Sequence, residues 1–158
     1  MPQLLPRFPA VGPAVKALCV LASMLVMPAF GAQAAEPAAS LKGAWIRMII
    51  PARPAAGYFT LSNDGSAPLT LVSASSPGCG MLMLHKSVSQ GGVEEMQMVA
   101  SIVVPAHGSV AFAPGAYHLM CMSPTATLKV GTTVPVSLNF ADGGALTQSF
   151  PVRGATGK

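Results

Sequence analysis

The sequence predicts an all-β fold, a single β-sandwich or small barrel with Greek-key connections. Three observations carry this. From Leu41 onward, short runs rich in β-branched and aromatic residues alternate with clusters of Gly, Pro, Asn and Ser. No window shows a helical period, and Pro recurs too often for long helices. A chain of 158 residues holds one domain.

The strands are predicted in order. GAWIRMII (43–50), AGYFTLS (56–62) and PLTLVSA (68–74) come first, the last two separated by the turn residues Asn63, Asp64 and Gly65. Ser76-Pro77-Gly78 then leads into 81–88, Gln90-Gly91-Gly92 into 93–99, and a short strand follows at 101–104. SVAFA (109–113) and AYHLMCM (116–122) flank Pro114-Gly115, and 126–130, 133–141 and 145–152 complete the set around Asp142-Gly143-Gly144. Trp45, Tyr58, Phe59, Phe112, Phe140 and Phe150 are the expected aromatic core, and the final GATGK reads as a frayed tail.

The first 34 residues read as a cleaved secretory leader. Arg7 and Lys16 precede the apolar run ALCVLASMLVMPAF (17–30), and Ala32-Gln33-Ala34 offers an A-x-A cleavage site, so the expected mature domain is 35–158. The run is shorter than the roughly 20 apolar residues of a membrane span. Cys19 lies inside it rather than just after it, so a lipid anchor is not expected. Beyond residue 34, seven Lys or Arg face five acids, too few and too scattered for a nucleic-acid partner, and no basic amphipathic stretch suggests membrane-surface binding. Cys79 and Cys121 remain, and either a disulfide or buried thiols would suit them.

Candidate chemistry concentrates in MLMLHKSVSQGGVEEMQM (81–98), where His85 stands among methionines; the whole chain has 10 Met and 3 His. A hairpin centred on Gln90-Gly91 would pair His85 with Met96, Lys86 with Glu95, Val88 with Val93 and Met83 with Met98. Strand alternation then sends Met83, His85, Met96 and Met98 to one face and Leu82, Leu84, Lys86, Glu95, Gln97 and Val99 to the other. Met83 and Met98 read as packing, whereas for His85 and Met96, nearest the turn, burial is less obviously forced. AYHLMCM places His118, Met120 and Met122 on one face and Tyr117, Leu119 and Cys121 on the other, which is the expected core side.

His85, ten residues, Met96, twenty-one residues, His118, one residue and Met120 resembles the H-x10-M-x21-H-x-M signature of the periplasmic copper chaperone (PCuAC-like) family, which serves the copper A site of cytochrome c oxidase. The similarity extends to Trp45, Tyr58-Phe59, Ser76-Pro77 and the PGAYHLM stretch. The resemblance implies a cupredoxin-like β-sandwich that binds one Cu(I) through His85, Met96, His118 and Met120. It implies a periplasmic, monomeric metallochaperone rather than an enzyme. The ion would pass to a copper-accepting protein of cytochrome c oxidase assembly, an oxidase subunit or another chaperone. The chain departs from common members in Cys121, beside Met120, and in lacking a His- and Met-rich tail, so no separate Cu(II) site is expected.

The donor set suits that task. Thioether sulfur is soft and imidazole borderline, which favours Cu(I) over ions that prefer oxygen. Thioethers, unlike thiolates, are not lost to disulfide formation. Two other functions compete. An electron-transfer cupredoxin needs a Cys thiolate with two His and a weak axial Met, yet Cys121 follows both His118 and Met120 and points away from His118. A metal-free, immunoglobulin-like exported binding module needs none of these ligands. Catalysis is disfavoured because the acids are dispersed, no nucleophile motif is present, and His107 in PAHGS reads as a turn residue.

Overall fold

Ten strands form in the computed structural model, which describes residues 38–158; the expected leader lies outside them. In chain order they are β1 (Ala39–Arg47), β2 (Ala55–Asn63), β3 (Leu69–Ser75), β4 (Cys79–Gln90), β5 (Val93–Met98), β6 (Ile102–Val104), β7 (Ser109–Phe112), β8 (Tyr117–Pro124), β9 (Thr133–Phe140) and β10 (Ala145–Arg153). Among the described residues there is no helix. The all-β expectation therefore holds.

The strands run in the order β5-β4-β8-β7-β2-β1-β10-β9-β3-β6. β1 joins the two halves by pairing antiparallel with β2 and parallel with β10, through Ile46↔Val152 and Arg47↔Arg153. On its other edge β2 serves two further neighbours: Ala55–Gly57 pair with β8, and Phe59–Ser62 pair with β7. This puts β8 in the interior of its sheet, between β4 and β2.

Alternation accounts for the core. In β9, TVPVSLNF buries Val134, Val136, Leu138 and Phe140 and turns the residues between them outward. Pro135 is tolerated there because β3 pairs with β9 only as far as Ser75↔Ser137, so no partner on that side requires the missing N–H. Phe59 stacks on Phe112 at 4.1 Å between ring centroids and meets Phe150 edge-on at 5.6 Å, tying the two halves together. Four of the six expected aromatic core residues, Phe59, Phe112, Phe140 and Phe150, belong to the core, and Tyr58 is buried outside it on the outer face. Trp45 lies half-exposed on the outer face against Tyr58, with the Arg153 guanidinium 5.6 Å from its ring centre.

The structure corrects two strand assignments. The segment 126–130 is not a strand, although ATLKV has the composition of one. Its polar groups are used locally: Leu128 N–H donates to the Thr125 carbonyl, and the Thr132 hydroxyl donates to the Thr127 and Lys129 carbonyls. Leu128 alone of the five is buried. The first strand starts four residues earlier than expected, because Gly43 takes φ +63° at an irregularity between Lys42 and Trp45, beyond which pairing with β2 continues to Ala39.

Asn63 is buried at the end of β2. Its amide donates to the carbonyls of Ala67, Val104 and Pro105 at 2.8, 3.2 and 3.1 Å, and its Oδ1 accepts from Gly65 N–H at 3.0 Å. Asn63→Ala leaves those buried groups unpaired. We expect a loss of about 1–3 kcal/mol, read by urea unfolding.

Candidate metal centre

The β4–β5 hairpin closes on Gly91 and Gly92, with φ +61° and +83°. A two-residue hairpin loop needs positive φ at both central positions, and this pair of glycines supplies it without strain. The turn therefore centres one residue later than the sequence suggests, and every pair shifts by two. His85 faces Met98, Ser87 faces Met96, Lys86 faces Gln97, and Val88 faces Glu95. The expected Lys86–Glu95, His85–Met96 and Met83–Met98 pairs are absent. Lys86 instead places its ammonium 5.4 Å from the centre of the Tyr117 ring. A shift of two preserves the faces, so His85, Met96 and Met98 remain on one side.

The second histidine arrives from β8. Its register with β4 sets His85 opposite His118, Met83 opposite Met120 and Met81 opposite Met122. Leu82, Leu84, Leu119 and Cys121 point inward and are buried, which forces the His and Met set onto the outer face. The two imidazole centroids stand 5.7 Å apart. Met96 and Met120 line a cavity of about 340 Å³ with His118 and Ser87, while Arg47 and Tyr58 form part of its far wall. The four residues singled out by spacing thus come to one face. His85 and His118 are direct cross-strand partners, and Met120 lies two residues beyond His118 on the same face of β8; Met96 approaches from the edge strand and is 62% exposed.

Electrostatics distinguishes this cluster from ordinary packing. Both ring nitrogens of His85 and Nε2 of His118 are buried without a hydrogen bond. Such orphans are rare, because each forfeits the solvation it had in water. His118 Nδ1 lies 3.2 Å from the Ala116 carbonyl; a carbonyl only accepts, so Nδ1 carries the proton and the Nε2 lone pair is bare. A backbone carbonyl that fixes the tautomer of a metal-ligating His is a recurrent arrangement. Among the described residues no group of three or more His, Cys, Asp or Glu is placed to hold a metal ion, so a shell supplied by the protein here needs methionine sulfur.

Burial, followed by repulsion from His118, holds the His85 imidazole below its ordinary pKa. The neutral ring, the form that binds metals, is thereby favoured. The sign for stability follows: the unfolded chain takes up the proton first as pH falls through about 6.5. Metal-free protein should therefore lose stability as pH drops from just above that value to below the His85 folded pKa. His85→Gln should flatten this slope in thermal unfolding scanned across pH.

Sequence reasoning missed the cavity's far wall. Arg47 faces Ala56 across β1–β2, and Ala56 faces Met120 across β2–β8. The guanidinium lies 5.2 Å from the centre of the Tyr58 ring. Burial raises the Tyr58 phenol, and Arg47 partly offsets it. No short-range pattern marks these residues, because they reach the site through pairings between strands distant in sequence.

The cysteines are joined. Cys79 and Cys121 form a disulfide beneath the outer face, with Cα atoms 5.4 Å apart. Cys121 is therefore no thiolate ligand, which removes the feature the electron-transfer reading required. His107 is an exposed turn residue at φ +53°, as expected.

Solved structures share this architecture. The copper-bound PCuAC domain from PmoF2 aligns with TM-score 0.63 over 76% of this chain and 96% of its own, at 20% identity. The solution structure of CuI-DR1885 from Deinococcus radiodurans aligns with TM-score 0.60 over 78% of this chain and 83% of its own, at 33% identity. The fold is that of a β-barrel domain of the PCuAC type. The chain belongs to the LpqE-like family, described as "Putative lipoprotein LpqE-like", whose profile matches residues 39–152. "Putative lipoprotein Lxx21020" of Leifsonia xyli subsp. xyli is 33% identical over 115 residues, 72% of this chain and 69% of that protein. The uncharacterized protein RP573 of Rickettsia prowazekii is 30% identical over 86 residues, 54% of this chain and 48% of its own length.

Proposed function

We propose that this protein is an exported Cu(I) metallochaperone. It holds one Cu(I) through His85, Met96, His118 and Met120 and passes it to a copper-accepting protein of cytochrome c oxidase assembly. The single observation that carries the reading is the convergence of three buried, unpartnered imidazole nitrogens on a methionine-lined face. Two neutral nitrogens and two thioethers match the preference of Cu(I) and leave the ion its full charge. Without thiolate bonds to trap it, the ion can leave by stepwise exchange onto a partner that offers stronger donors. Arg47, beside Met120 on the cavity wall, would receive an anionic ligand of that partner.

The likeness to CuI-DR1885 supports the choice of metal, and the lipoprotein description of the family supports export. The proposal includes a periplasmic monomer, with residues 1–34 as its leader and no catalytic step. Anaerobic titration with Cu(I) against a chromophoric competitor tests it. One tight equivalent is expected, and unchanged binding in both His85→Ala and Met120→Leu would refute it. Intact mass of the exported protein tests the leader: a chain starting at Ala35 is expected, whereas a lipid-modified Cys19 would show anchoring instead.

A further inference from the structure

The outer face carries more sulfur than one four-ligand site uses. Met81 and Met83 on β4 and Met122 on β8 share the side occupied by His85 and His118. Met81 is 58% exposed, and Met83 and Met122 are each half-buried. Packing does not account for them. The core beneath is already filled by Leu82, Leu84, Leu119 and the Cys79–Cys121 disulfide. On an open sheet surface, β-branched or polar residues would serve the strand better.

Register brings these thioethers within reach of one another. Met81 and Met122 are direct cross-strand partners, which places their Cβ atoms about 4.5–5.5 Å apart. Met83 is two residues along the same strand, about 7 Å away, and opposite Met120. Methionine is unbranched and has three rotatable bonds, so three such side chains can turn their sulfurs to a common point.

We propose that Met81, Met83 and Met122 form a second, weaker site for a soft monovalent cation, Cu(I) or its analogue Ag(I), next to the His85–Met96–His118–Met120 site. This rests on the proposed copper-carrying function for its purpose. Three neutral thioethers bind a soft monovalent ion and offer nothing to Zn(II), Ca(II) or Mg(II). The Met83–Met120 rung connects the two sites, so an ion captured at the exposed end moves to the histidines by exchanging one sulfur for the next. The metal keeps its oxidation state, and no covalent bond of the protein changes.

Protein labelled with [methyl-¹³C]methionine, titrated with Ag(I) and followed by NMR, tests this. The first equivalent should shift the Met96 and Met120 methyls, and the second those of Met81, Met83 and Met122. The Met81→Leu/Met122→Leu variant should lose the second equivalent and keep the first. His118→Ala should weaken the first and retain the second. If the methyls of Met81 and Met122 stay still at excess Ag(I), or the double variant still takes up two equivalents, the second site is refuted. If instead those methyls shift while His118→Ala leaves the first equivalent unchanged, the second site stands and the proposed primary site falls.

Discussion

Met120→Leu is expected to weaken Cu(I) binding by more than about 100-fold while leaving the fold intact. Loss of a group that merely orients a metal ligand typically costs 10–100-fold, so removal of a ligand should exceed that. Leucine is the informative replacement because it conserves volume and removes only the sulfur, and such exchanges usually cost less than about 1.5 kcal/mol of stability. His118→Ala should lose at least as much affinity, because it removes the bare Nε2 held in place by the Ala116 carbonyl. The two methionines of β5 should separate. Met96 lines the cavity with His118 and Met120, and Met96→Leu should lose affinity. Met98 is opposite His85 in register but 71% exposed, and Met98→Leu should stay within about threefold of the parent, a difference under 1 kcal/mol.

Removing the disulfide, as Cys79→Ala/Cys121→Ala, should cost about 4 kcal/mol. The bridge spans a sequence separation of 42, and closing a loop of that size removes roughly this much chain entropy from the unfolded state. For a domain of this size the corresponding fall in Tm is roughly 10–20 °C. Calorimetry of the metal-free double variant measures it. Because β4 and β8 carry His85 and His118, the same variant should also bind Cu(I) less tightly near its unfolding transition and normally well below it.

Faces were legible in the sequence; partners often were not. A period of two assigns Leu119 and Cys121 to the core and His118 and Met120 to the outer surface with no knowledge of neighbouring strands, and the structure agrees. Hairpin register depends on one turn, and the second glycine of Gly91-Gly92 moved it by two residues, exchanging Met96 for Met98 opposite His85. The pairing of β4 with β8 joins segments about thirty residues apart. That pairing makes Met83 a neighbour of Met120 rather than of Met98, and local pattern does not contain it. The same holds for Arg47 and Tyr58, and for the cysteines, whose spacing says nothing of their distance in space. At 126–130 composition misled because the segment's carbonyls are satisfied locally, those of Thr127 and Lys129 by the Thr132 hydroxyl just beyond it, rather than by a partner strand.

X-ray absorption at the copper edge, on protein loaded with one equivalent of Cu(I), tests the mixed ligand set most directly because it counts sulfur and nitrogen neighbours. Two sulfurs and two nitrogens are expected, with one sulfur lost in Met120→Leu and one nitrogen lost in His118→Ala. A first shell of sulfur alone, or of nitrogen and oxygen alone, would contradict the assignment of His85, Met96, His118 and Met120.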